Sequence, residues 1–319
     1  MRVAAIDCGT NSIRLLIAEV YEENGARRLR DIVRLMRIVR LGEGIDATGE
    51  FAPAALERTF DAAREYAALI AEHNVPTEAI RFVATSASRD ARNKQVFIDG
   101  IREILGIELE VISGDEEASL SFAGALLAVG ADERETLVFD LGGGSTEFVL
   151  GTVAGVQVSK SVNIGCVRLT ERLMHHAPAL ESEIDAVRAE ADERIAEAAA
   201  IVPLERAQRL VAVAGTATTV AAAALGLDSY DSAAINAQYF TVEQVQETAS
   251  WLASLSTEER SALGYMHPGR VDVIGTGATI YARIVERVSE LTGGAVKGVT
   301  VSEHDILDGI ALSIAARLS

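Results

Sequence analysis

Apolar positions in this chain follow two periods, and the change from one to the other happens twice. Near the N-terminus, Val3–Asp7 and Ile13–Val20 are short apolar runs on either side of a turn holding Gly9, and Arg28–Leu41 continues in alternation. A period of two marks a strand with one face buried, and short runs joined by a tight glycine turn predict a hairpin. The same succession returns in Leu137–Asp140, Glu147–Val153 and Val156–Asn163, about a turn holding Gly142, Gly143 and Gly144. Elsewhere apolar residues fall three and four apart, the spacing of one helix face. That spacing predicts helices over Pro53–Glu72, Glu181–Ala200, Val242–Leu255 and His304–Leu318. Pro53 suits a first helical turn, where its missing N–H costs nothing. Two more strands, Ile80–Ala84 and Leu210–Ala214, each lie between helical segments.

The repetition extends to residue identities. The stretch from Asp7 to Ile17 (DCGTNSIRLLI) aligns without a gap on the stretch from Asp140 to Leu150 (DLGGGSTEFVL). Asp, Gly and Ser coincide, and an apolar triplet follows in each. The segment around Arg81–Ala87 aligns on that around Leu210–Ala217, with Thr85 on Thr216. Two matches at nearly one offset predict a duplicated fold. A hairpin followed by strand–helix alternation predicts, in each half, a mixed sheet with helices on its faces. The expected domains are 1–128 and 129–319, divided near the polar connection Val129–Glu135, with the last helix free to pack back on the first domain. No low-complexity linker separates the halves, so a cleft between them is expected.

Composition narrows the partners. Apolar residues make up 49% and charged residues 24% of 319 residues, an ordinary globular balance with room for two domains. The net charge of −18 argues against nucleic acid or an anionic membrane as a partner. No signal-peptide pattern and no transmembrane-length apolar run is present, and two cysteines without a CxxC pair fit a reducing compartment, so a cytoplasmic location is expected. A phosphate-rich substrate would have to meet a local site of N–H groups, arginines and a metal, because the far field repels it. Only three of the 29 basic residues are lysines, which suits bidentate phosphate contacts, although genome composition explains an arginine bias equally well.

The two Asp-x-Gly-x-x-Ser turns carry the chemistry. A glycine turn lets backbone N–H groups converge on an anion, and Thr10, Asn11, Ser12, Ser145 and Thr146 add side-chain donors. One such turn reads as an ordinary hairpin; two at matching places favour phosphate clamping. Asp7 and Asp140 end the strands beside these turns and would repel phosphate unless a divalent ion lay between; Mg2+ takes one or two carboxylates plus substrate oxygens. Glu147 falls in a strand where apolar alternation would not choose a charge. Glu117 lies in Ser113-Gly114-Asp115-Glu116-Glu117, where an N-cap serine and first-turn acids also have a purely helix-stabilising reading, the favoured one on residues alone. Gly215 and Thr216 open a helix after a strand, a geometry for binding an anion at a helix N-terminus, and Gly275–Ala278 repeats it more weakly. Arg89, with Arg92 and Asn93 close by, and Arg168 are further cations with either a surface or a site reading. Arg27, Arg28, Arg30, Arg34, Arg37 and Arg40 run along an alternating strand, which favours a solvated sheet face. The five histidines show no metal spacing, and Cys8 reads as a small buried residue.

The strings AIDCGTNSIRLLIAEV, RFVATSASRDARN, VISGDEEASLSFAGAL, FDLGGGSTEFVLG, SVNIGCVRLTE, VAGTATTVAA and RVDVIGTGATI run in order over almost the whole chain. Together they resemble the Ppx/GppA phosphatase family of the actin/sugar-kinase superfamily. The resemblance implies an α/β fold of two ribonuclease-H-like (actin-like ATPase) domains and Mg2+-dependent hydrolysis of terminal phosphoanhydride bonds. It makes Asp140 and Glu147 the metal site, with Asp7 as a further candidate. It makes Glu117 the base that orients water, reversing the reading from residues alone, and gives Arg89 the charge of the transferred phosphoryl. Gly9, Thr10, Asn11, Ser12, Gly142, Gly143, Gly144, Ser145, Gly215 and Thr216 become the phosphate-binding set. The implied substrate is inorganic polyphosphate, with guanosine pentaphosphate as the alternative. Short chains are expected because the C-terminal domains of longer members are missing, and a homodimer is the assembly to be tested. An ATP-dependent kinase of the same superfamily and a non-catalytic sensor are the rival classes.

Overall fold

The computed structural model describes residues 1–23, 26–129 and 132–318. The chain divides into two compact units, Met1–Gly124 with Ile306–Ser319, and Ala125–Asp305. The division falls inside the Gly114–Val129 helix, a few residues before the expected 128/129 boundary, and the C-terminal helix groups with the first unit. Gly130 and Ala131 of the polar connection lie outside the described residues. Among the described residues no helix is long and apolar enough to cross a membrane.

In the first unit, strands β1 (Arg2–Cys8), β2 (Ser12–Glu23), β3 (Ala26–Ile38), β4 (Ile80–Ala84) and β5 (Leu109–Val111) form one sheet in the order β3-β2-β1-β4-β5. The first three are antiparallel neighbours, and β4 and β5 run parallel to β1. The centre of the sheet is covered on both faces, which is why β1 is apolar almost throughout and does not alternate. On one face Phe82 of β4 meets Phe97 of the Lys94–Leu105 helix at 6.2 Å between ring centroids. The Ile306–Arg317 helix packs on β1, β2 and β4. The outer strand β3 carries the arginine stretch. Arg28 pairs with Glu23, Arg30 with Glu19, Arg34 with Asp31 and Asp308, and Arg37 with Glu65, so acids of the same unit take up most of that charge.

In the second unit, β6 (Thr136–Leu141), β7 (Thr146–Thr152), β8 (Gly155–Val162), β9 (Arg209–Val213), β10 (Tyr239–Thr241) and β11 (Gly298–Val301) follow the order β10-β11-β9-β6-β7-β8. Taken from β8, the succession β8-β7-β6-β9-β11 repeats that of the first sheet, with β10 added at the edge. Both sheets therefore have the ribonuclease-H-like strand order, and the duplication is one of topology as well as sequence. Phe139, Phe148 and Tyr281 fill the core between sheet and helices.

Strand pairing corrects one detail of the internal alignment. Asp7 is opposite Val83 and Asp140 opposite Val213, so the matching pair is Val83 with Val213. Thr85 then falls on Gly215, one residue before Thr216. Ala214, expected to end the strand, lies just beyond it. It opens the Ala214–Ala224 helix instead, with φ at 70°, a left-handed conformation that costs a non-glycine residue about 1–2 kcal/mol.

Candidate active site

In the second unit the Gly142–Ser145 turn is shaped by the helix Cys166–Leu173. The Cys166 N–H donates to the Gly142 carbonyl at 3.0 Å, the Val167 and Arg168 N–H groups donate to Gly143 O at 2.9 and 3.0 Å, and Arg168 Nε donates to Gly144 O at 2.8 Å. Three consecutive carbonyls thus face that helix. In a planar trans peptide the C=O and N–H point in opposite directions, so the N–H groups of Gly143, Gly144 and Ser145 point away from it. Successive N–H groups turned to one side make an anion-binding nest. Gly165 is indispensable here, because a Cβ on it would overlap the Gly143–Gly144 peptide. The sequence offers Arg168 as a cation with either a surface or a site reading, and nothing in it signals this buttress.

Two side chains expected to serve as donors are used internally. Ser145 Oγ donates to Glu147 Oε1 at 2.8 Å, and Thr146 Oγ1 donates to the Ile164 carbonyl at 2.8 Å. What Ser145 offers an anion is therefore its backbone N–H.

Asp140 and Glu147 are opposite one another on β6 and β7, and both are buried, at 8% and 1% exposure. A second hydroxyl, Ser161 Oγ, donates to Glu147 Oε1 at 2.7 Å. The first unit has the same cross-strand position, but there Asp7 is opposite Arg14, whose Nη2 and Nε donate to Asp7 Oδ2 at 2.6 and 2.9 Å. One unit thus holds a pair of opposite charge and the other two neighbouring carboxylates, like charges whose mutual repulsion a cation would relieve. The donor set fits a hard divalent ion that takes part of its oxygens from substrate and water. Among the described residues, no group of three or more His, Cys, Asp or Glu side chains forms a fuller metal site. Asp7, a candidate third ligand, has Arg14 as its partner.

In the first unit the Gly9–Ser12 turn closes with the Gly9 N–H donating to Ser12 O at 2.9 Å. Thr10 is buried with its Oγ1 2.9 Å from Ser86 Oγ, and the Asn11 carbonyl accepts the N–H groups of Val39 and Arg40. A Cβ at Gly9 would find only Ser12 O and Thr85 Oγ1, both at an ordinary 3.8 Å. Nothing inside the protein demands glycine there, whereas a ligand approaching the backbone would.

Glu117, 8% exposed, sits in the first turn of the Gly114–Val129 helix and accepts a hydrogen bond from Arg89 Nη1 at 2.7 Å. Arg89 Nη1 also donates to the Ile112 carbonyl at 3.1 Å. Ser113 caps this helix, accepting the Glu116 N–H on its Oγ at 3.2 Å. The Glu117 carboxylate thus has a tertiary partner in addition to its place in the first turn of the helix. The two residues expected to be catalytic are together.

At the start of the Ala214–Ala224 helix, a Cβ on Gly215 would overlap the Arg270 guanidinium, and Arg270 Nη1 donates to Thr219 Oγ1 at 3.2 Å. An arginine set against a helix N-terminus adds to the positive potential already there, which favours an anion. Gly275 and Gly277 have packing roles instead: a Cβ would press on Arg260 at the first and on Thr216 and Cys166 at the second. Burial pushes the Cys166 thiol up to about 11 despite the Thr216 hydrogen bond and nearby Arg270, and burial with Asp7 beside it raises Cys8 too. Neither is an activated nucleophile. His176 is bonded to Glu183, and His267 Nδ1 accepts the Gly269 N–H.

The sequence profile of the Ppx/GppA phosphatase family matches residues 17–313. The chain belongs to that family. It is similar to Exopolyphosphatase 2 of Mycobacterium tuberculosis, at 48% identity over 319 residues and 98% of each chain. A solved exopolyphosphatase-like protein is 43% identical with a TM-score of 0.93, each chain covered in full. The Aquifex aeolicus family member is 28% identical with a TM-score of 0.80, covering 100% of this chain and 99% of that one. Membership in this phosphatase family agrees with the fold expected from the sequence, over nearly the full chain.

Proposed function

We propose that this member of the phosphatase family is an exopolyphosphatase, hydrolysing the terminal phosphoanhydride bond of inorganic polyphosphate with Mg2+ or another divalent cation. The observation that carries the reading is the buried cross-strand pair of Asp140 and Glu147 beside a nest of N–H groups. A site of that kind suits a polyanion and its counterion together, and the name of the Mycobacterium tuberculosis relative points the same way. In this reading the Gly143–Ser145 N–H groups hold phosphoryl oxygens of the substrate, and the Gly9–Ser12 turn is a second phosphate-binding turn. The Glu117 carboxylate takes a proton from the attacking water. Arg89 orients Glu117 and offsets charge that develops on the transferred phosphoryl, the main electrostatic demand of such reactions. Asp140 and Glu147 would hold the divalent ion, which when bound supplies positive charge against the phosphate oxygens.

The test is orthophosphate release from tripolyphosphate, long-chain polyphosphate, guanosine pentaphosphate and ATP, with Mg2+ and with EDTA. Turnover of tripolyphosphate that EDTA abolishes is expected. Turnover of guanosine pentaphosphate alone would move the assignment to a guanosine pentaphosphate 5'-phosphohydrolase, and transfer only in the presence of an acceptor would replace hydrolysis by a kinase reaction.

A further inference from the structure

Arg81 is a buried arginine that the site described above does not use. Its side chain, 3% exposed, projects from strand β4, between β1 and the edge strand β5, on the face opposite Phe82, as alternation along a strand requires. Its Nε and Nη2 donate to Glu110 of β5, the latter at 2.7 Å. The same Nη2 donates to Glu116 Oε1 at 2.5 Å, and Nη1 donates to Ser313 Oγ of the C-terminal helix at 2.9 Å. Arg317 of that helix donates to Glu110 as well, at 3.0 Å. One guanidinium therefore joins the sheet, the C-terminal helix and the residue directly before Glu117. With two carboxylates against it, the Arg81 guanidinium is held above its ordinary value despite burial.

Consecutive helix residues point about 100° apart around the axis. Glu116 engages Arg81 on one side of the first turn, and Glu117 engages Arg89 on the other. A third restraint follows one turn later, where Gly309 meets the Leu120 carbonyl so closely that a Cβ would overlap it. Rotation and sliding of this helix are both opposed, and each would swing the Glu117 carboxylate. Ser113 already caps the helix, so the Arg81–Glu116 pair is not needed to start it.

We infer that Arg81, acting through Glu116 and buttressed by the C-terminal helix, is a positioning residue that sets the aim of the Glu117 carboxylate. The inference rests on Glu117 being the base proposed above. It is tested on the full chain by kcat and KM for tripolyphosphate with Mg2+ in Glu117→Gln, Arg81→Met and Glu116→Ala, and in each of the latter two combined with Glu117→Gln. Misaiming a base by a fraction of an ångström to 1 Å should lower kcat about 10- to 100-fold in Arg81→Met and Glu116→Ala, with KM nearly unchanged. In the Glu117→Gln background neither change should lower the residual rate further, because residues acting as a unit are not additive. Equal losses in both backgrounds, or an undiminished kcat in the single variants, would overturn the positioning role alone. Wild-type turnover by Glu117→Gln would instead remove the base assignment on which it stands. If Arg81→Met does not fold, Glu116→Ala decides, since Glu116 is 43% exposed and its loss leaves Arg81 paired with Glu110.

Discussion

Replacing Glu147 by Gln should stabilise the metal-free protein while removing its activity. Asp140 and Glu147 are directly opposite on antiparallel strands, which places their Cβ atoms about 4.5–5.5 Å apart. Two like charges about 5 Å apart would repel by about 3 kcal/mol at an effective dielectric constant of about 20, and a proton taken up by the pair would relieve part of that. The Ser145 and Ser161 hydroxyls donating to Glu147 Oε1 absorb part of this, and a Gln carbonyl oxygen can accept the same two bonds. The expected gain in EDTA is then about 1–3 kcal/mol, a rise of a few degrees in Tm. Mg2+ should raise the Tm of the wild-type chain by mass action and leave that of the variant nearly where it was. Phosphate release should fall about 100-fold or more. Melts in EDTA and in Mg2+, beside the activity assay, decide the matter. A variant less stable than wild type in EDTA, or one that keeps the full Mg2+ shift, would refute the idea that this pair is built around a cation.

Three further outcomes follow from other positions. Gly9→Ala meets no close neighbour, so its stability in urea should be unchanged or higher by up to about 1 kcal/mol, while turnover falls because the ligand has lost its approach; a destabilised but fully active variant would contradict this. Gly165→Ala must push the Gly143–Gly144 peptide aside, with a cost of about 1–3 kcal/mol and a loss of activity larger than that of Gly9→Ala, read by the same two assays. The Glu110 carboxyl resists ionisation through burial, yet its hydrogen bonds from Arg81 and Arg317 hold it down at about 2. A lowered folded-state value means that this pairing stabilises fully above the unfolded carboxyl range and fades as the pH falls toward 2, so Glu110→Gln should flatten the dependence of Tm on pH between about 5 and 2.

Much of this arrangement was legible in the sequence, for physical reasons that also set the limit. The helix Pro53–Glu72 and the strand Ile80–Ala84 have the bounds expected, because a first-turn proline and an abrupt change of period mark their ends. Glu147 stood out because a charge interrupted apolar alternation. The Asp7–Arg14 pair could have been drawn from the hairpin register, since a turn closed by Gly9 and Ser12 places residues 7 and 14 opposite each other. The buttress at Gly165, the Arg270 guanidinium over Gly215 and the hub at Arg81 could not. Each depends on segments far apart in the chain, and local periodicity does not encode such contacts. Ala214 was misread as strand because nothing in an alanine announces a positive φ.

Isotope transfer from solvent tests the central claim most directly. Tripolyphosphate is incubated with the enzyme and Mg2+ in 18O-enriched water, with no acceptor added, and the orthophosphate released in the first turnovers is analysed by mass. Attack by water on the terminal phosphoryl places one solvent oxygen in each orthophosphate released and none in the remaining pyrophosphate. Label in the pyrophosphate instead, or no orthophosphate until an acceptor alcohol is supplied, would contradict the account.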